Sequence, residues 1–198
     1  TMIRGGRGGE VRLKTYLSML FIAGAPPYDV SYPARAWATL LDLREPETKG
    51  ARRVNEATSW LEANRFVTVA NNPGRPSRVT LLDEQARGDR YEAPGEAYNR
   101  LRNRQGEEEA KRNRYVKISP LFWTSGWLSV LSTPAVSMYL VLLCAQTTPE
   151  ISEVWFSPDQ ANKLYSLSGD TRSRGLAELR DAGLVDVRRR ALSNDIFD

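Results

Sequence analysis

The chain has no histidine and only one cysteine among its 198 residues. Lack of histidine removes Ser–His–Asp and Cys–His nucleophile systems, imidazole metal ligands, and the side chain best suited to proton transfer near neutral pH. A lone cysteine, Cys144, excludes an intrachain disulfide and a Cys-rich zinc site. It lies in the run Val141-Leu142-Leu143-Cys144-Ala145, which predicts a buried, unreactive thiol and fits a reducing cytoplasm. Long apolar runs are also missing. The longest, around 16–25 and 136–145, fall short of the roughly 20 residues a membrane span needs, so no membrane partner is expected. No secretory leader is expected either, because the first apolar stretch follows a Gly/Arg-rich opening and carries Lys14. Thr1 ahead of Met2 reads as a remnant of cloning.

Lysine is scarce, with 23 of the 28 basic residues being Arg. The planar Arg fork suits bidentate contacts to phosphate and to guanine edges, although a GC-rich coding sequence raises Arg over Lys as well. Distribution carries more weight than type. The formal charge of +4 averages a +5 stretch at residues 1–82, +1 at 83–117 and −2 at 118–198. An electrostatic footprint for a polyanion belongs to the first of these. A hydrophobic content of 41% with 26% charged residues predicts folded domains, and the length allows one or two.

What is present reads as one plan written twice. Residues 1–10 form a basic arm around Gly5-Gly6-Arg7-Gly8-Gly9, which lacks the Gly-Lys-Ser/Thr of a phosphate loop. Val11–Ala23 predicts a helix with an inward stripe of Leu13, Leu17, Leu20 and Phe21, stopped by Pro26-Pro27. Ser31 is the expected cap of a second helix through Leu43, with Trp37, Leu40 and Leu41 inward. A third helix is expected from about Ala51 to Asn64, with Val54, Ala57 and Leu61 on one face. Phe66–Val69 and Arg78–Leu82 have strand propensity and flank a turn-rich tip, Asn71-Asn72-Pro73-Gly74-Arg75-Pro76.

The order recurs after residue 130. Thr133-Pro134 opens an apolar helix to about Gln146, and Ser157-Pro158 repeats the cap-and-proline pair for a second helix. Asp170 or Thr171 is the expected cap of a third, ending near Gly183, and Leu184–Val187 is the expected strand before Arg188-Arg189-Arg190. Leu61-Glu62-Ala63-Asn64-Arg65-Phe66-Val67-Thr68-Val69 aligns with Leu179-Arg180-Asp181-Ala182-Gly183-Leu184-Val185-Asp186-Val187. Between the copies, residues 83–117 read as a charged, partly helical linker. Glu107-Glu108-Glu109 there is expected to be a solvated face with pairs such as Glu108–Arg112, and Tyr98 and Leu101 make too short a stripe for a coiled coil.

Three helices followed by a hairpin with a basic tip resemble the winged helix-turn-helix family, and the passage from Asp170 to Val185 is similar to the third helix and Gly-Leu-Val of many bacterial winged-helix regulators. The likeness covers about residues 11–82 and 128–198, and tandem copies also resemble plasmid and phage replication initiators. The fold it implies is mainly α with small β-hairpins (α+β): domain 1 at 11–82, the linker at 83–117 and domain 2 at 118–198. Asn64-Arg65 departs from the family's usual Gly, and a full second hairpin would need residues beyond Asp198.

Sequence-specific binding of double-stranded DNA is the function this implies, for a transcriptional regulator or a replication initiator. With Val54, Ala57 and Leu61 inward, Arg52, Asn55, Glu56 and Ser59 point to solvent, where Arg suits guanine, Asn suits adenine and Ser suits bases or phosphate. Lys49 and Arg53 lie near the helix start, which favours phosphate. Arg75 and Arg78 belong to the hairpin. In the second copy Leu176 and Leu179 are expected inward, with Thr171, Arg174 and Glu178 outward, Arg172 ambiguous, and Arg188 and Arg189 following. DNA contact and protein contact both remain open there. The competing reading is a protein-docking adaptor, with a protein partner or second copy of the chain on apolar faces around Phe122, Trp123 and Trp155; Trp127 also flanks this region. No spacing singles out a nucleophile with a base or a carboxylate pair, so neither catalysis nor a cofactor or metal is expected.

Overall fold

Helix α1, Gly9–Ile22, has no single apolar face, and six consecutive residues from Lys14 to Met19 are buried, so it is covered on more than one side. One side enters the core through Val11, Tyr16 and Met19. On another, Phe21 stacks on Trp123 with ring centroids 4.4 Å apart. Lys14, only 3% exposed, donates to Glu10 Oε1 at 2.7 Å and to the Ser129 carbonyl at 3.0 Å. The inward stripe expected of Leu13, Leu17, Leu20 and Phe21 is therefore corrected. Leu17 is buried, Leu13 and Leu20 are half-buried, and Phe21 is 40% exposed.

The computed structural model describes Met2 and residues 8–112, 115–146, 153–154 and 163–188. It divides into two compact units, Thr1–Thr133 and Pro134–Asp198. The described residues are mainly helical with one small antiparallel sheet, an α+β composition.

In the first unit, α1 is followed by β1 (Asp29–Val30), α2 (Ala34–Leu40), a wide π-type turn (Pro46–Gly50), α3 (Ala51–Ala63), β2 (Val67–Ala70) and β3 (Arg78–Leu81). The sheet order is β1-β3-β2, with Val30 opposite Val79 and Val69 also opposite Val79 on the other side. β1 has no counterpart in the sequence reading. Two residues between Pro27 and Pro33 are too few to show an alternating pattern.

Helix α2 starts later than expected. Pro33 occupies the cap position without a side-chain bond, and the Ser31 hydroxyl donates instead to the Pro76 carbonyl at 3.1 Å. Trp37 and Leu41 are buried, but Leu40 is 46% exposed. Two consecutive residues at a helix end lie about 100° apart, so one inward place excludes the other. Leu41 takes it, with its N–H returning to the Trp37 carbonyl at 3.0 Å.

Residues 83–93 loop back against the sheet, where Tyr91 meets Tyr28 edge-on at 5.0 Å. Helices α4 (Pro94–Gln105) and α5 (Glu107–Arg112) follow. Arg100 grips the Glu92 carboxylate through Nε and Nη2 at 2.8 and 2.6 Å, which holds that carboxyl below its ordinary pKa. The expected Glu108–Arg112 pair lies outside the described side chains. Short helices α6 (Leu121–Thr124) and α7 (Trp127–Val130) close the unit, with Phe122 and Leu128 buried.

In the second unit, α8 (Thr133–Ala145) and α9 (Gly169–Asp181) approach at Gly175. A Cβ there would fall onto the Pro134 carbonyl and 2.7 Å from Met138 Cγ. This approach buries the first half of α8, at Ala135, Val136, Ser137 and Met138. Cys144, near the far end, is exposed rather than buried as expected, though partial desolvation still raises its thiol pKa. The cap of α9 is Ser168, not Asp170 or Thr171; its Oγ accepts from Thr171 N at 3.2 Å. No strand forms at 184–188. A strand needs a neighbour's hydrogen bonds, and the residues expected to supply them follow Arg188, outside the described residues. The Ser157-Pro158 helix, the Gly5–Arg7 arm, Trp155, Arg189 and Arg190 also lie outside them.

Candidate nucleic-acid interface

Helix α3 is positioned by the turn that precedes it. The Gly50 N–H bonds to the Glu45 carbonyl at 2.9 Å. A Cβ at Gly50 would lie 3.1 Å from Ala38 Cβ and 3.2 Å from the Arg44 carbonyl, so a small residue lets the turn sit tight on α2. From there Val54, Ala57 and Leu61 go inward at 1%, 3% and 0% exposure, as their spacing predicts. Arg52, Asn55, Glu56 and Ser59 form an exposed stripe on the opposite side.

The hairpin tip is fixed by short-range bonds. Ser77 Oγ donates to Asn71 Oδ1 at 3.0 Å, Arg75 N–H to the Asn72 carbonyl at 3.1 Å, and Gly74 supplies a φ of +72°. Glu62 of α3 accepts from Val69 N–H at 3.0 Å, tying the helix to the outer strand of the sheet. Between α3 and the tip lies a concavity of about 570 Å³. Asn55, Thr58 and Ser59 line it from α3, Asn71, Arg75 and Ser77 from the hairpin, and Tyr32, Pro33, Ala34 and Trp37 from the start of α2.

The structure thus brings Asn55, Ser59 and Arg75 to one concavity, and Lys49, Arg52, Arg53 and Arg78 are not among its lining. Three of these four are held by carboxylates. Lys49 Nζ is 2.7 Å from Glu45, Arg52 Nε is 2.9 Å from Glu56, and Arg78 Nε is 3.3 Å from Asp29. Arg53 and Arg75 have no ion pair among the described residues. The cations stand out in the sequence more plainly than these partners do. The i,i+4 spacing of Glu45–Lys49 and Arg52–Glu56 was a legible sign of them, whereas Asp29 meets Arg78 only through the pairing of β1 with β3.

In the second unit Arg174 is exposed, 3.7 Å from Asp170, and Arg172 is half-buried. Thr171 shares its hydroxyl with Ser168 at 2.9 Å, so it serves the helix cap. Arg188 pairs with Asp186 at 3.0 Å and Glu153 at 3.8 Å. Leu179 is fully buried, Leu176 half-buried and Glu178 half-buried, so Glu178 does not point fully outward.

The aromatic residues expected at a docking face are partly enclosed. Phe122 is 3% exposed and Trp123 half-buried against Phe21. Trp127 is half-buried too. Among the described residues no helix is long and apolar enough to cross a membrane, and no group of three acidic or Cys side chains is arranged to hold a metal ion. No protein-family model matches the chain, and neither does any curated protein or solved structure.

Proposed function

We propose that the chain is a non-catalytic, sequence-specific binder of double-stranded DNA, acting in transcriptional regulation or replication initiation, with a winged-helix first unit as its main contact. The observation that carries this reading is the shared concavity of Asn55, Ser59 and Arg75, where an exposed helix stripe and a hairpin tip face the same space. The element order supports it: helix, short strand, two helices and a hairpin, with β1 joining the sheet beside β3. In this arrangement α3 lies in the major groove and offers Arg52, Asn55 and Ser59 to base edges. Lys49, Arg53, Arg75 and Arg78 contact phosphates, which set position rather than sequence. The second unit, through Arg172, Arg174, Arg188 and Arg189, adds a weaker contact or holds a protein partner. A second reading as a docking adaptor keeps one observation of its own: Phe122 is buried, but Leu121 and Val130 in the same segment are 64% and 76% exposed.

Selection of duplexes from a random pool, read at two salt concentrations, tests the reading. A consensus should emerge, and affinity should fall steeply with salt as counterions are released. Asn55→Ala should relax the preference at one position, by about 1–3 kcal/mol, and Arg75→Ala should weaken all sequences alike. Micromolar binding to every duplex with a flat salt response would overturn it.

A further inference from the structure

The proposed DNA-facing surface of the first unit is less cationic than its arginine count implies. Glu45, Glu56 and Asp29 hold Lys49, Arg52 and Arg78. Such exposed pairs add little to stability. They do lower the attraction for any phosphate backbone, which is the source of non-specific affinity. One of the three stands apart by position. Arg52 and Glu56 are successive-turn neighbours on the exposed stripe of α3, flanking Asn55, and their side chains are 81% and 61% exposed.

We infer that Arg52 and Glu56 act as one specificity element that reads a single G·C base pair, an inference that rests on the DNA reading above. In the major groove guanine presents two acceptors, N7 and O6, and its cytosine partner presents an N4 donor beside them. The Arg52 guanidinium satisfies the two acceptors through its fork, and the Glu56 carboxylate accepts from the donor. The pair is neutral as a unit, so it gains little from phosphate alone, and both of its partners are satisfied at once only where acceptors and donor occur together. An A·T pair gives Arg52 no adjacent acceptor pair and places a thymine methyl against the charged groups. Glu56 is therefore a specificity-determining residue that works by refusing the wrong sequence. Glu45 differs: it lies before α3, outside the stripe, where its carboxylate holds Lys49 and accepts from the Thr48 hydroxyl at 3.4 Å.

The test uses the full chain on its selected duplex, on the same duplex with each base pair replaced in turn, and on an unrelated duplex. Glu56→Gln should tighten binding to the unrelated duplex and steepen the salt dependence by roughly 0.9 in log–log slope. It should also reduce discrimination at one G·C position by about tenfold. Arg52→Gln should lose preference at that same position, and the double variant should lose little more than either alone. Glu45→Gln should raise non-specific affinity and leave every base preference unchanged. Glu56→Gln with base preferences intact, or acting at a different position from Arg52→Gln, overturns the inference while leaving the DNA reading standing. A wild-type chain that prefers no duplex overturns the DNA reading and the inference with it.

Discussion

Helices α3 and α9 end in the same way but lead to different structures. At the end of α3, Arg65 N–H bonds to the Glu62 carbonyl at 3.0 Å and Phe66 N–H to the Leu61 carbonyl at 2.9 Å. At the end of α9, Gly183 N–H bonds to the Arg180 carbonyl and Leu184 N–H to the Leu179 carbonyl, both at 2.9 Å. Arg65 and Gly183 share the left-handed backbone, at φ +62° and +71°. After this common stop the first unit runs into β2, which pairs with β3, while 184–188 is without a strand. A helix stop is local, written in a few residues and their cap bonds. A strand is not local; it forms only where a neighbour completes its ladder.

The largest difference between the two helices is at Gly175 and its aligned residue, Ala57. Gly175→Ala drives a methyl into the Pro134 carbonyl and should destabilise the second unit by about 1–3 kcal/mol, as overpacking does. The opposite change, Ala57→Gly, should cost the first unit only about 1 kcal/mol through helix propensity and lost packing. Chemical denaturation of the full chain reads both, and equal effects would mean that α9 approaches its neighbour no more closely than α3 does. A smaller contrast is expected at the shared stop. Gly183→Ala should lower stability by about 1 kcal/mol because a Cβ resists the left-handed region. Arg65→Gly relieves that strain and should gain about 0.5 kcal/mol, the rest being offset by glycine's freedom in the unfolded chain. A destabilised Arg65→Gly variant would show that the Arg65 stem, beside Gly88, contributes packing that outweighs its backbone.

The smallest effect is confined to alkaline solution. Burial, with help from Glu84, pushes Tyr16 far above its ordinary value and Tyr91 up to about 12. A raised folded-state pKa means the folded chain holds these protons more tightly. For Tyr91 the associated stability is fully present below pH 10 and is lost as pH rises through about 12; for Tyr16 the loss extends to still higher pH. An absorbance titration of tyrosinate should show Tyr16 and Tyr91 ionising late, and Tyr91→Phe should remove part of that late phase. Full ionisation near pH 10 without loss of structure would contradict the burial.

The sequence carried some features of this fold plainly. Val54, Ala57 and Leu61 recur at helical spacing, and burial obeyed it. The tip from Asn71 to Pro76 named its own turn. Three features were hidden, each for a physical reason. α1 is covered on more than one side, so its apolar residues pointed to no single stripe. β1 is two residues long and exists through its pairing with β3. The α9 cap is Ser168 because Ser, Asp and Thr within the four residues 168–171 are all good caps until geometry selects one. Of the candidate interface, the exposed stripe of α3 was legible from the same spacing that set its core. The concavity was not, since it depends on where the hairpin tip lands beside the helix.

Lys14 bears on where this chain can be cut. Its ammonium is sealed inside the first unit and draws one of its two bonds from Ser129, far along the sequence. A fragment ending at residue 117, where composition alone draws a boundary, would delete that carbonyl and leave the ammonium with Glu10 as its remaining partner. Losing a hydrogen bond to a charged group removes roughly 1.5–3 kcal/mol, a large share of what a small domain has. A fragment carried through Thr133 keeps both bonds, and with them the aromatic stack that covers the outer side of α1.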